Sequence, residues 1–215
     1  MRAATITLYS IDELTRASRQ KALEEHRTIN VDYAWWDAAH LGFTQELEAW
    51  GLTGKTFYWD LYDRSFHCVD LAVGDLDRFL RSLGYQDLRQ RDPRMLRAAW
   101  QHGDLCLRTE RLSHHCHRNR LEVFTGRRDL DEAAETRAGA LLRDFGHSCL
   151  RQLALEYEFM TSDEAVAETL LANGAEFTRL GQIWSAQAEG EVDDHPLRPS
   201  QRPLPLGNDR ESSPP

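Results

Sequence analysis

The sequence has no long apolar run and almost no lysine. Its hydrophobic stretches fall well short of the roughly 18 residues that a membrane-spanning helix needs, so no membrane span is expected. The opening stretch, MRAATITLYSIDELTR, soon turns polar and therefore does not resemble a signal peptide. Lys21 and Lys55 are the only lysines among 26 basic residues. The lack of a long apolar run and of a signal peptide together predict a protein that acts in the cytoplasm and not in a membrane.

Catalytic and redox signatures are also scarce. The four cysteines (Cys68, Cys106, Cys116 and Cys149) form no C-x-x-C pair, and without an export signal they are expected to be reduced thiols. The sequence contains no P-loop, no G-x-G-x-x-G and no G-x-S-x-G motif. Enzymatic activity is therefore not the favoured prediction, although a Cys–His site assembled in space stays an open alternative.

Composition divides the chain into a folded part and a tail. Of 215 residues, 41% are hydrophobic, which is enough for a core, and the net charge of −9 argues against a general nucleic-acid coat. Six of the seven prolines follow Trp184, in a segment with few large apolar residues. This predicts a single globular domain over residues 1–184 and a disordered Pro-rich tail over 185–215.

Hydrophobic periodicity predicts an α+β fold. Residues 56–73 are rich in aromatic and β-branched side chains with a break at 63–65, and residues 105–109 and 115–124 form a second extended pair, so two antiparallel hairpins are expected. Helical patterns cover 10–27, 32–50, 75–83, 93–100, 129–157 and 161–171, and short strands are expected at 5–9 and 176–184. Because the strands come in hairpins, α+β is favoured over a β-α-β alternation.

Two S/T-x-x-E sequences predict helix starts. Ser10 with Glu13, and Thr161 with Glu164, have the spacing of a capping box, in which each side chain satisfies a free backbone N–H of the other. Gly51, directly after the second helical pattern, is expected to end that helix in a left-handed conformation.

A resemblance to a family of small phage and prophage proteins is carried by two segments, LYSIDELTRASRQKALEEHRTINVDYAWWDAAHLGF and LRQLALEYEFMTSDEAVAETLLANGAEFTRLG. They cover about 70 of the 215 residues, in the order in which the family has them. The family's closing segment is matched at Leu153, Glu156, Tyr157, Ser162, Asp163, Glu164, Ala165, Val166, Glu168, Asn173, Phe177 and Gly181.

The resemblance implies a modest functional expectation. Members are mostly uncharacterised, and some carry the label "antitoxin of a toxin–antitoxin stability system", which implies that they neutralise a toxin. The family's middle segment reads like S-G-F-W-S-Q-G-D-G-A-C-F, whereas this chain has WDLYDRSFHCVD and retains only the thiol of Cys68 and the flanking aromatic residues.

Two clusters in the middle of the chain could bind ligands. Thiolates and imidazoles are zinc ligands, and a hairpin could bring together Cys68, Cys106, His115 and His117. The sequence has no C-x2-C or H-x3-H pair, which a zinc site usually shows. The favoured prediction is therefore that the protein has no cofactor. Residues 61–130 also carry more basic than acidic residues, and a ribbon could grip phosphates through Arg108, Arg111, Arg118 and Arg120.

A third candidate site is acidic and aromatic. Negative charge gathers near a helix start at Glu156, Glu158, Asp163 and Glu164, as on proteins that block nucleic-acid-handling enzymes. Trp35 and Trp36 are adjacent, so both cannot face one core, and Trp35 is expected to be partly exposed as an anchor for a partner. The favoured function is thus a phage or prophage accessory protein that binds and occludes a protein partner, a toxin or a host enzyme. The alternative is nucleic-acid or metal binding by the ribbon at 102–128.

Overall fold

The computed structural model describes residues 6–112 and 117–184, which contain six α-helices and six β-strands. The helices are α1 (Arg16–Glu25), α2 (Asp37–Ala49), α3 (Leu76–Ser82), α4 (Arg91–His102), α5 (Arg128–Met160) and α6 (Asp163–Ala172). The strands are β1 (Leu52–Thr53), β2 (Phe57–Asp60), β3 (Ser65–Cys68), β4 (Ala72–Val73), β5 (Leu105–Arg111) and β6 (His117–Val123). The predicted α+β class is confirmed, and the predicted tail at 185–215 lies outside the described residues.

All three strand pairs are antiparallel. Strand β1 pairs with β4, β2 with β3, and β5 with β6, so the two hairpins that the sequence predicts are confirmed. In the β2–β3 hairpin, Phe57 lies opposite Cys68 and Tyr58 lies opposite His67. Opposite residues share a face, so this register places Phe57 and Cys68 on the core side and the Tyr58–His67 pair on the other side.

The larger core is built around aromatic rings from α2, the β2–β3 hairpin and α5. Phe43 of α2 makes edge-on contacts with the rings of Phe57 at 5.7 Å, Phe66 at 5.6 Å and Phe145 at 6.3 Å. Edge-on pairs of this kind contribute about 0.5–1.5 kcal/mol each beyond the burial of their surface. The cluster fixes the hairpin against the middle of α5.

A smaller core joins the two ends of the domain. Ile11, Leu23, Val166 and Phe177 are fully or almost fully buried together, so the N-terminal segment packs against α1, α6 and the chain that follows α6. The strands predicted at 5–9 and 176–184 are reduced to single bridges, Tyr9 with Phe177 and Phe177 with Ile183.

The first capping box forms but starts a shorter element than predicted. The backbone N–H of Ser10 donates to a carboxylate oxygen of Glu13 at 2.8 Å, and this box encloses one 3-10 turn, Ile11–Glu13. Leu14 then returns to an extended conformation, and the hydroxyl of Thr15 accepts the N–H of Ser18 at 3.3 Å to cap α1. The prediction of one continuous helix from Ser10 is therefore wrong.

The prediction that Thr161 caps the last helix is wrong by one residue, because Ser162 is the capping residue. The hydroxyl of Ser162 accepts the N–H of Ala165 at 3.2 Å and caps α6, whereas the Thr161 hydroxyl donates to the Tyr157 carbonyl at 2.8 Å at the end of α5. Gly51 behaves as predicted. It has φ +78°, and a Cβ there would lie 2.2 Å from the Asp75 carbonyl oxygen, so glycine is required.

Candidate anion-binding cleft

An open cleft of about 560 Å³ lies between strands β3 and β6 and the long helix α5. Four arginines and two histidines line it: Arg64, Arg118, Arg120, Arg143, His117 and His147. Glu135 is the one acidic residue among the lining side chains of the described chain. A concave surface with a few convergent polar groups is typical of a ligand site, and this sign of charge indicates an anionic ligand.

Two glycines of α5 shape the cleft wall. Gly139 and Gly146 are seven residues apart, so they lie near one face of the helix. A Cβ on Gly146 would lie 3.7 Å from Phe66, in ordinary van der Waals contact with it, so α5 and β3 pack closely at this point. A Cβ on Gly139 would meet nothing within 4 Å, which leaves open space on that side of the cleft.

The amide of Asn119 joins β3 to β6 where no strand ladder does. Its Oδ1 accepts the Cys68 N–H at 2.9 Å, and its Nδ2 donates to the Cys68 carbonyl at 2.6 Å. The Thr109 hydroxyl, opposite Asn119 on β5, donates to the same carbonyl at 3.2 Å. The Asn119 side chain thus makes the two hydrogen bonds that a neighbouring strand's backbone would otherwise make to Cys68, and it joins two walls of the cleft.

The cleft arginines differ in their partners. Arg118 pairs with Glu110 at 2.8 Å, and Arg120 pairs with Glu135 at 3.3 Å. In the described part of the chain, Arg64 and Arg143 make no ion pair, although both are exposed at the cleft. These two guanidinium groups are available to an incoming anion without breaking an existing contact.

Arg64 is also held in an unusual conformation. At φ +52° it is the one non-glycine residue with positive φ in residues 6–112 and 117–184. This left-handed region costs an L-residue about 1–2 kcal/mol relative to glycine. Glycine would therefore be more stable than arginine at this position of the turn between β2 and β3. Backbone strain of this kind concentrates at functional sites, which is consistent with a functional role for the Arg64 side chain.

The buried thiols near the cleft are poorly suited to nucleophilic catalysis. Burial raises the pKa of Cys68 to about 12, and the hydrogen bond that its thiol donates to Asp70 at 3.0 Å acts in the same direction. Burial likewise raises the pKa of Cys149. Both therefore stay protonated near neutral pH, whereas the nucleophile in cysteine catalysis is the thiolate.

Asp70 organises the loop that carries Cys68. Its carboxylate accepts the backbone N–H groups of Lys55 at 2.9 Å and of Thr56 at 3.1 Å, besides the Cys68 thiol. Burial alone would raise the pKa of Asp70, but these three hydrogen bonds outweigh it and lower the pKa to about 2. The ionised form is thus the one that the fold stabilises.

Replacing Asp70 with asparagine is expected to change how stability depends on pH. Because the folded pKa lies below the ordinary value of 3.8, the carboxylate stabilises the fold above that value and loses its effect as pH falls towards about 2. Urea unfolding should show Asp70→Asn destabilised by about 1 kcal/mol at neutral pH, with the difference shrinking below about pH 4. A difference that is the same at both ends of this range would contradict the role of the carboxylate charge.

The predicted basic ribbon is only partly a binding surface. Arg118 and Arg120 line the cleft, but Arg108 lies opposite Arg120 and forms an ion pair with Glu122 at 2.7 Å. Arg111 lies opposite His117 at the far end of the ribbon and does not line the cleft. Arg64, Arg143 and His147 were not predicted, since they come from other elements and no local motif marks them.

The predicted zinc ligands are not brought together. Cys106 pairs with Glu122 in the register, five positions along β5 from the Arg111–His117 pair, which corresponds to about 17 Å. Cys68 is engaged with Asp70, and His115 lies outside the described residues. Within the described ranges, no group of three or more histidine, cysteine or acidic residues has the geometry of a metal site.

The prediction of an exposed Trp35 is wrong. This side chain is 7% exposed, and its ring contacts Trp59 at 5.6 Å and Tyr157 at 5.8 Å. Because α2 begins at Asp37, Trp35 precedes the helix and turns into the core, while Trp36 is half-buried.

The residues of the predicted acidic surface lie at the junction of α5 and α6. Glu158 and Glu164 are exposed, and Glu156 is half-buried. Asp163, however, is bound to Arg27 at 2.6 Å, so its charge is largely neutralised.

Comparisons with known proteins leave the family open. No family model matches the chain, and neither the curated proteins nor the solved structures contain a match. The resemblance to small phage proteins therefore stays a prediction. Of the helices in the described ranges, none combines the length and apolar character needed to cross a membrane.

Proposed function

We propose that the protein is a non-catalytic binding protein whose cleft holds a phosphate-bearing chain, that is, a nucleic acid. The observation that supports this most strongly is the convergence of Arg64 and Arg143 on one cleft without carboxylate partners. A guanidinium group presents a planar set of donors that matches a phosphate, and hydrogen bonds to a charged group are worth about 1.5–3 kcal/mol each.

The net charge of −9 limits the distance over which the protein can attract a nucleic acid. Long-range attraction is weak for an acidic protein, so binding depends on contacts within about one Debye length, or 8–10 Å, of the cleft. Affinity should therefore fall steeply with salt, with a slope given by the few phosphates that the cleft arginines contact.

A cleft-filling variant tests the proposal. Gly139→Phe places a ring in the open space of the cleft, and because glycine is a poor helix former the variant should fold at least as well as the wild type. We expect it to weaken binding of a fluorescein-labelled oligo-dT of about 20 nucleotides by at least tenfold in fluorescence anisotropy.

Gly42→Phe is the matched control for this experiment. Gly42 is also a glycine within a helix with nothing within 4 Å of its Cβ position, but it lies in α2 away from the cleft. This variant should bind like the wild type. If the wild type shows no salt-sensitive binding at micromolar protein, or if Gly139→Phe binds as well as Gly42→Phe, the cleft does not hold the nucleic acid.

A second candidate function is occlusion of a protein partner, as the phage resemblance implies. It is favoured by Leu155 and Phe159, which are 61% and 60% exposed and lie four residues apart on α5. Glu156 and Glu158 lie between them in the sequence, so the end of α5 presents both apolar and acidic side chains. Exposed apolar pairs with a polar surround are typical of interaction sites.

Pull-down from the native host lineage with and without nuclease separates the two functions. A stoichiometric protein that survives nuclease and is lost from the Leu155→Ser/Phe159→Ser variant would support occlusion. Partners that disappear on nuclease treatment would support the nucleic-acid cleft.

A further inference from the structure

A row of three rings lies across β2, β3 and β6, in which one pair is stacked and the next pair is tilted. The Tyr58 and His67 rings are parallel to within 11°, with their centroids 5.3 Å apart. The His67 and His117 rings follow at 4.7 Å with 34° between their planes. His117 also lines the cleft, so the row runs from the outer strand of the hairpin to the site of the unpaired arginines.

The middle ring of this row, the imidazole of His67, favours its neutral form. Burial lowers the pKa of His67, and the neighbouring His117 lowers it further. The Nδ1 atom of His67 is buried and has no hydrogen-bond partner among the described residues. A neutral imidazole without a hydrogen bond at this atom contributes mainly its ring faces, so the row is maintained by stacking.

The ring at the outer end of the row, that of Tyr58, is exposed to solvent. Tyr58 is 47% exposed, although it is paired with His67 across the hairpin and carries a large apolar ring. The next turn exposes Tyr62 almost completely, at 95%. An ordered aromatic ring that ends a stack at the surface is a platform on which another planar ring can continue the stack.

From this arrangement we infer that the ligand is single-stranded nucleic acid, with an unpaired base stacked on Tyr58 and its backbone in the cleft. This base contact rests on the proposed function, since the same strand must also meet the cleft arginines. Stacking requires a base that is free of its complement, so duplexes are disfavoured, and every base has a π-face, so little sequence preference is expected.

Phosphate contact and stacking together distinguish this ligand from other polyanions. Heparin or poly-glutamate would use Arg64 and Arg143 but has no aromatic ring for Tyr58. A duplex would present phosphates but keep its bases stacked inside.

Tyr58→Ala provides the test, with Tyr58→Phe as the matched control that keeps the ring. Fluorescence anisotropy should show Tyr58→Ala binding oligo-dT at least about tenfold more weakly, with Tyr58→Phe close to the wild type. Heparin, measured by competition, should bind all three proteins equally, and a duplex of the same length should bind more weakly than oligo-dT.

Each other outcome overturns the inference in a recognisable way. Oligo-dT binding that depends on the cleft but not on Tyr58 would remove the stacked base and leave the proposed function standing. A duplex that binds as tightly as oligo-dT would do the same, whereas poly-glutamate that binds as tightly would also contradict the preference for phosphate in the proposed function. Absence of any salt-sensitive binding to the wild type would overturn the proposed function as well.

Discussion

Reversing the charge of both unpaired arginines, with Arg64→Glu and Arg143→Glu in one protein, is expected to weaken oligo-dT binding by about a hundredfold or more. Each substitution removes a charge-assisted hydrogen bond worth about 1.5–3 kcal/mol and adds repulsion from the phosphates. Neither arginine supports another described residue through an ion pair, so the fold should be retained. Anisotropy titrations at about 50 and 200 mM salt should show a shallower salt slope as well.

The matched control changes the same net charge elsewhere. Arg89 and Arg94 are exposed, make no ion pair within the described residues and do not line the cleft. Arg89→Glu with Arg94→Glu should therefore weaken binding only slightly, through the general potential of the protein. Equal losses from the two double variants would show that net charge, and not the cleft, governs binding.

Asn119→Leu is expected to destabilise the fold by about 3 kcal/mol. Leucine has a similar size but leaves the N–H of buried Cys68 without a partner, which costs about 1–3 kcal/mol. The Cys68 carbonyl also loses its bond to Asn119, worth about 1 kcal/mol, and keeps only the bond from the Thr109 hydroxyl. Urea denaturation, with the free energy of unfolding extrapolated to water, measures this difference.

Thr109→Val serves as the graded comparison for this loss. It removes only the hydroxyl that donates to the Cys68 carbonyl, whose second bond to Asn119 remains, so a loss of about 1 kcal/mol is expected. If Asn119→Leu costs no more than Thr109→Val, the Asn119 bridge does not hold β3 to β6, and the cleft walls must be joined in another way.

Local signals in the sequence explain why much of the fold was predictable. The aromatic and β-branched runs flanking residues 63–65 specify a hairpin, and Gly51 ends α2 because only glycine fits the left-handed turn beneath the Asp75 carbonyl. The errors occur where two local solutions compete. Thr161 and Ser162 both have a hydroxyl that can cap, and only the packing at the end of α5 decides which one does.

The candidate site could not be predicted from the sequence because its residues are brought together only by packing between distant elements. Arg64 and Arg143 are 79 positions apart, and neither belongs to a motif, so their convergence depends on how the hairpin packs against α5. Arg118 and Arg120 were predicted because they lie close together in a stretch of the sequence with more basic than acidic residues. The burial of Trp35 likewise depends on Trp59 and Tyr157, which are distant in sequence.

Nuclear magnetic resonance of the arginine Nε–Hε groups tests most directly whether the cleft binds nucleic acid. On addition of saturating oligo-dT to the labelled protein, the resonances of Arg64 and Arg143 should shift, while those of Arg89 and Arg94 should stay in place. Shifts confined to the amides around Leu155 and Phe159, or no shifts at any arginine, would contradict binding in the cleft.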